Sequence, residues 1–296
     1  MSLPIVDITG LTKTYGKARG IENVNLQINE GEIFGFIGPN GAGKSTTIRI
    51  LLNLIFPSSG SAHILGMDVV KDTKKIKQHI GYIPSDANAY TFMDVLTFLN
   101  YCLRYYQIEN GEQRIQELAN WFELDLKRKI ADLSLGNRKK VAIVQSLLHS
   151  PKLLILDEPT TGLDPLMQAK FFELLRLENQ RGMTIFFSSH LLNEVQLLCK
   201  RVAIIKEGKI VQVEEIDTLR KKQLKRINIA LNHSSTDFEI IDLAGLEGNA
   251  ERIDNKISFM FSGDMNALVA FLANKKLENL TIEEPTLEEI FMHYYH

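Results

Sequence analysis

Gly38-Pro39-Asn40-Gly41-Ala42-Gly43-Lys44-Ser45-Thr46 fits the spacing G-x-x-x-x-G-K-[ST]. Glycines let such a backbone curl until its N–H groups point inward at phosphate oxygens. The spacing predicts a helix that starts near Lys44 and adds the positive end of its dipole. Lys44 brings a mobile cation for β- and γ-phosphates, and the Ser45 hydroxyl can ligate Mg²⁺. The chemistry is that of holding a nucleoside triphosphate. The competing reading is a glycine-rich surface turn.

A second group of candidates lies far along the chain. Leu153-Leu154-Ile155-Leu156 is followed by Asp157-Glu158. The apolar run reads as a buried strand, and its carboxyl end would put both acids at the edge of a sheet, where ligands bind in open α/β folds. There Asp157 could hold Mg²⁺ through water and Glu158 could polarise an attacking water. Two acids after a strand also suit an ordinary loop start. The phosphate loop elsewhere in the chain favours the catalytic reading.

The elements that must position these residues can be read from pattern. Gly31 to Ile37 is short, apolar and bounded by turn residues, so it reads as a buried strand leading into the loop, with a helix over Thr46–Leu54 beyond it. Residues 1–30 alternate apolar and polar, which predicts an antiparallel sheet ahead of the loop. Strand and helix signals alternate from about 31 to 210, with strands at Lys152–Leu156, Thr184–Ser188 and Arg201–Ile205 and a mostly helical stretch over 92–149. After a boundary near 215 the order β-β-α-β-α is expected. Its strands are Ile227–Leu231, Lys256–Phe261 and Leu277–Ile282, with a helix over 264–275 and a last one carrying Leu287, Ile290, Phe291, Tyr294 and Tyr295. Thr286 and Glu289 form the capping box of that last helix.

The 296 residues carry a net charge of −2 and are 45% hydrophobic, which implies a sizeable core and no general affinity for polyanions. The one dense basic run, Arg220, Lys221, Lys222, Lys225 and Arg226, reads as a solvated face near the boundary. Cys102 and Cys199 are far apart, in no metal-binding spacing, and read as buried free thiols of a reducing compartment. No apolar run is long enough to span a bilayer and no signal peptide is evident.

Taken together, these motifs resemble the ATP-binding subunits of ABC transporters over residues 1 to about 215. Leu133-Ser134-Leu135-Gly136-Asn137 is similar to the signature motif LSGGQ, Thr161-Gly162-Leu163-Asp164 to the D-loop, and His190 to the switch histidine. Tyr15 matches the aromatic that stacks on adenine. In isolation Tyr15 would read as packing and His190 as a satisfied polar residue. Two departures stand out. Ser85, then Asp86, replace the glutamine expected after Ile80–Pro84, and serine is too short to reach Mg²⁺ as glutamine does. Leu135 and Asn137 replace the first glycine and the glutamine of the signature, while Ser134 and Gly136 keep its hydroxyl and its close backbone approach.

The resemblance implies an α/β fold. Its P-loop NTPase core would span 1–215, with an N-terminal antiparallel β subdomain and a helical subdomain over about 88–150, and a small C-terminal α+β domain would span 216–296. It implies ATP and Mg²⁺, with Ser45, Asp157 and Ser85 as candidate metal contacts. A single set of motifs implies a homodimer in which ATP lies between Lys44 of one copy and Ser134 and Gly136 of the other, with Asp164 nearby. The ending Pro285–Phe291 resembles the ABC-2 branch of exporters, although a generic capped helix accounts for it almost as well. A polytopic membrane subunit on the cytoplasmic side of the membrane is the implied partner; nucleic acid is not. The tyrosines 82, 90, 101, 105 and 106, with Phe92 and Phe98, suit either a docking groove for that subunit or a half-exposed helical core. The alternative function is a nucleotide switch that regulates a partner without transport.

Overall fold

The computed structural model describes residues 4–16, 18–85, 92–221, 225–231, 246–273, 275, 277–283 and 285. It divides into two units, 1–214 and 215–296. Tyr90 and the last expected helix lie outside the described residues.

In the first unit the chain opens with β1 (Val6–Tyr15) and β2 (Ala18–Ile28), an antiparallel pair in which Val6 faces Ile28. β3 (Ile33–Ile37) is buried at every position, and α1 (Lys44–Leu51) follows the phosphate loop. Next come β4 (Ser59–Ile64), β5 (Met67–Asp68), the short α2 (Thr73–Lys77) and β6 (Ile80–Ile83). A helical stretch then holds α3 (Val95–Tyr105), α4 (Glu112–Trp121) and α5 (Leu135–Leu147). The rest of the unit is β7 (Leu153–Asp157), α6 (Pro165–Gln180), β8 (Thr184–Ser189), α7 (Leu192–Leu198), β9 (Arg201–Lys206) and β10 (Lys209–Glu215).

Two sheets result. One is antiparallel, in the order β2-β1-β4-β5; the other runs β10-β9-β3-β8-β7-β6. In the second, β9, β3, β8, β7 and β6 are parallel. Its central strands β3, β7 and β8 are buried at every position and mostly apolar because both faces are covered, as parallel sheets require. Phe34, Phe36 and Phe186 pack ring against ring within it, and each buried ring of this size stabilises the core by about 2–3 kcal/mol.

Helix starts are set by capping side chains. Asp94 accepts from the Thr97 amide at 2.8 Å, Ser134 from Asn137 at 3.4 Å, and Asp164 from Met167 at 3.0 Å with Pro165 next in line. The helical stretch is tied to α6 by Arg114, whose guanidinium meets the buried Glu178 at 2.7 Å, and by the Trp121 indole, which donates to the Lys170 carbonyl. Cys102 and Cys199 are buried and unpaired, and burial pushes the Cys102 thiol up to about 11.

The second unit contains α8 (Ile216–Lys221) and the antiparallel strands β11 (Lys225–Leu231), β12 (Leu246–Ile253), β13 (Lys256–Phe261) and β14 (Leu277–Glu283), with α9 (Met265–Ala273) before β14. Their order is β12-β13-β11-β14. Leu268 and Leu272 of α9 pack on Ile227, Ile229, Ile257, Phe259 and Phe261. The alternate residues form the opposite face, where Ser258 donates to Asn228 and Arg226 donates to Ser258.

Four strands were not expected from the sequence, among them β10, an edge strand with no buried residue. β12 is polar and lies at a sheet edge, so it carries little apolar pattern. β4 and β5 are short and rich in small or polar residues. β4 is specified by partners instead: Gly60, at φ 82°, sits so close to Gly10 that a Cβ would meet its carbonyl at 2.3 Å.

Candidate functional site

The parallel sheet places the candidates side by side. The phosphate loop follows β3, His190 follows β8, Asp157 ends β7 with Glu158 next, and Ser85 comes two residues after β6. These four strands are consecutive neighbours, about 4.8 Å apart, and all end at the same edge.

The loop itself is tightly built. A Cβ on Gly38 would meet the Ile205 carbonyl at 2.2 Å, and Gly43, at φ 112°, is packed against Ile21 of β2. The Ala42 amide bonds to the Pro39 carbonyl and the Gly208 amide to the Ala42 carbonyl. Gly43 gives α1 no side-chain cap, so the amides of Lys44, Ser45 and Thr46 open the helix without one. Pro39, Asn40 and Gly41 are exposed at the rim of the loop.

Lys44 is buried and donates to the Gly38 carbonyl at 2.7 Å and the Pro39 carbonyl at 3.2 Å. Its ammonium also lies 3.3 Å from one oxygen of Glu158, and His190 Nδ1 lies 3.3 Å from the other. Ser45 and Ser188 each donate to the same oxygen of Asp157, at 3.1 and 3.2 Å. Burial, more than the neighbouring Glu158, pushes the Asp157 carboxyl above its ordinary range, against those two hydrogen bonds and Lys44. A cation here would favour its ionised form.

Glu158 has φ 48°. The left-handed region costs a non-glycine residue about 1–2 kcal/mol. It is held by its amide, which donates to the Ser188 carbonyl at 3.1 Å, and by its carbonyl, which accepts from Lys139. His190 is positioned from below. Ser189 donates to the buried Glu194 at 2.5 Å and accepts the Leu191 amide, fixing the chain on either side of the histidine.

The remaining candidates are held by other contacts, although Ser85 shares Lys139 with the Glu158 backbone. Tyr15, at the end of β1, is 41% exposed, with the Lys13 ammonium 5.3 Å from its ring centre. Ser134 is exposed at the start of α5 and caps its own helix. Gly136 faces the D-loop: a Cβ there would come 2.8 Å from the Gly162 carbonyl. Asp164 caps α6. Ser85 offers its carbonyl to Lys139 at 3.0 Å. The aromatic stretch divides: Phe98 is buried, Tyr106 stacks on His149, and Phe92, Tyr101 and Tyr105 are exposed. Sequence reasoning missed Lys139 and Ser188. Nothing in their types marks them, since one sits in a basic helical run and the other in a buried strand.

A curled loop with a buried lysine, a hydroxyl beside a carboxylate, and an acid between an ammonium and an imidazole, all at the edge of a parallel sheet, define a P-loop nucleoside triphosphatase. Residues 21–161 match the ABC transporter family. The bacitracin transport ATP-binding protein BcrA of Bacillus licheniformis is 34% identical over 97% of this chain and 96% of its own length. The linearmycin resistance ATP-binding protein LnrL of Bacillus subtilis is 30% identical over 95% of each. A dimeric post-hydrolysis structure of the ATP-binding cassette MJ0796, bound to ADP and Pi, superposes with a TM-score of 0.66 at 28% identity, covering 71% of this chain and 98% of that one. The chain belongs to the ABC transporter family, as an ATP-binding and ATP-hydrolysing subunit.

Proposed function

We propose that this chain drives export, with two copies closing head to tail over two ATP molecules while bound to a polytopic membrane subunit at the cytoplasmic face. The observation that carries the reading is a hydrolytic half-site assembled in one chain, with Ser134 exposed on another loop. Lys44 and the loop amides would hold the β- and γ-phosphates. Ser134 and Gly136 of a second copy would close over them, and Asp164 and Tyr15 would line the nucleotide. Glu158 would orient the attacking water, and His190 would steady Glu158 and the γ-phosphate.

Mg²⁺ suits the hard oxygens present. Ser45 and Asp157 lie 3.1 Å apart, and this ion needs only one or two carboxylates besides phosphates and water. Ser85, on the loop after β6, is the third candidate contact, with a shorter reach than the glutamine it replaces. When bound, Mg²⁺ would neutralise charge on the transferred phosphoryl group.

The exposed Phe92, Tyr101 and Tyr105, with Leu96, support docking of a membrane subunit on the helical stretch. The names of full-length relatives that handle bacitracin and linearmycin favour an antibiotic, peptide or lipid-like cargo moving outward. The test is the variant Glu158→Gln with ATP and Mg²⁺. Light scattering is expected to show a stable dimer with hydrolysis almost abolished; a monomer at saturating ATP would overturn the composite site.

A further inference from the structure

Lys139 lies in the second turn of α5 and is only 1% exposed. Burying an ammonium is costly unless acceptors replace its water. Its Nζ donates to the carbonyls of Pro84 at 2.7 Å, Ser85 at 3.0 Å and Glu158 at 3.4 Å. Those carbonyls belong to the loops that leave β6 and β7, neighbouring strands of the parallel sheet. One cation therefore joins the helix that begins with the signature motif, the loop that carries Ser85, and the backbone of the acid that faces Lys44 and His190.

The contact to Glu158 matters because of that residue's backbone. A left-handed conformation at a non-glycine residue persists only where its surroundings over-determine it. The Ser188 carbonyl holds the Glu158 amide, and Lys139 and the Thr161 amide both donate to its carbonyl, each at 3.4 Å. Together they fix the peptide planes on either side of Glu158, and so the direction in which its carboxylate leaves the chain.

We propose that Lys139 is a positioning residue for hydrolysis. It sets the aim of Glu158 and couples that aim to α5, so that a shift of the signature helix is felt at the acid of the same chain. The coupling between sites rests on the composite-site reading above; the strap within one chain does not. The three carbonyls it meets lie outside the loop Gly38–Thr46, so the effect is expected on turnover rather than on nucleotide binding.

The test compares the full chain with K139M, which keeps the length and loses the donors, and K139R, which keeps charge and donors. ATP turnover and the affinity for a fluorescent ATP analogue are measured separately. K139M is expected to lose at least about tenfold in kcat, within the cost of misplacing a catalytic group, with affinity changed by less than about twofold. K139R should recover much of that loss. A K139M variant with wild-type kcat overturns the proposal. So does a parallel loss of affinity and turnover, or a K139R variant no better than K139M, either of which would point to packing alone. Should K139M not fold, K139Q replaces it: slower turnover at unchanged affinity is expected, and wild-type turnover overturns the proposal. Light scattering of E158Q reports separately on the composite dimer. A monomer there with the kcat loss intact would remove the coupling between sites and leave the strap.

Discussion

Gly136, at the start of the signature helix, and Gly162, in the D-loop, touch backbone to backbone: a single added carbon on Gly136 would sit 2.8 Å from the Gly162 carbonyl. Two segments that the sequence separates by a helix and a strand are thus one surface. Gly136→Ala must push them apart. The expected result is a fall in ATP turnover of about tenfold or more, with a drop in stability of about 1–3 kcal/mol. Steady-state kinetics and thermal melting check it, and unchanged kinetics would show that this contact has no bearing on the site.

Lys44→Ala removes an ammonium that bridges the Gly38 and Pro39 carbonyls and Glu158. Loss of a donor aimed at developing charge costs about 10²–10³ in rate. Phosphate release should fall by at least about a hundredfold. Turnover close to wild type would sink the assignment of the loop.

Glu178 is buried and takes Arg114 at 2.7 Å and the more exposed Arg181 at 2.8 Å. Glu178→Gln strips one partner from a buried pair, which costs about 3–5 kcal/mol. Arg181→Gln removes a partner whose side chain is 60% exposed and should cost less than about 1 kcal/mol. Chemical denaturation of both variants measures the difference; equal losses would mean that Arg114 does not tie α4 to α6.

His149 is pushed below its ordinary value by burial. Its ring stacks on Tyr106 at 3.8 Å and its Nε2 meets the Ile80 carbonyl at 2.9 Å. The folded chain therefore favours the neutral ring, while the unfolded chain takes up a proton below about pH 6.5. No cost arises above that value, and stability falls as the pH drops below it. His149→Gln should flatten this fall in melting curves taken between about pH 7.5 and 5.5; the same slope in both proteins would refute the attribution.

Much of this was legible in the residues. Glycine spacing disclosed the phosphate loop because phosphate binding demands a curled backbone, and four apolar residues before Asp157-Glu158 disclosed β7 because a doubly covered strand has no room for polar groups. The conformation of Glu158 was not legible, since no side chain announces a left-handed residue other than glycine or asparagine. Nor was the burial of Lys139. In Arg138-Lys139-Lys140 composition alone reads as a wet helix face, and only the helix phase turns one ammonium inward. β12 stayed hidden because an edge strand needs little apolar pattern to pair.

The twist at Glu158 has a consequence for how this protein could change. Asparagine or glycine would sit there with less strain, yet neither could do what a carboxylate does between Lys44 and His190. Variants chosen in the laboratory for heat resistance alone would be drawn toward those two residues at position 158. Each would be sturdier and idle, so any such selection must screen for phosphate release in the same round.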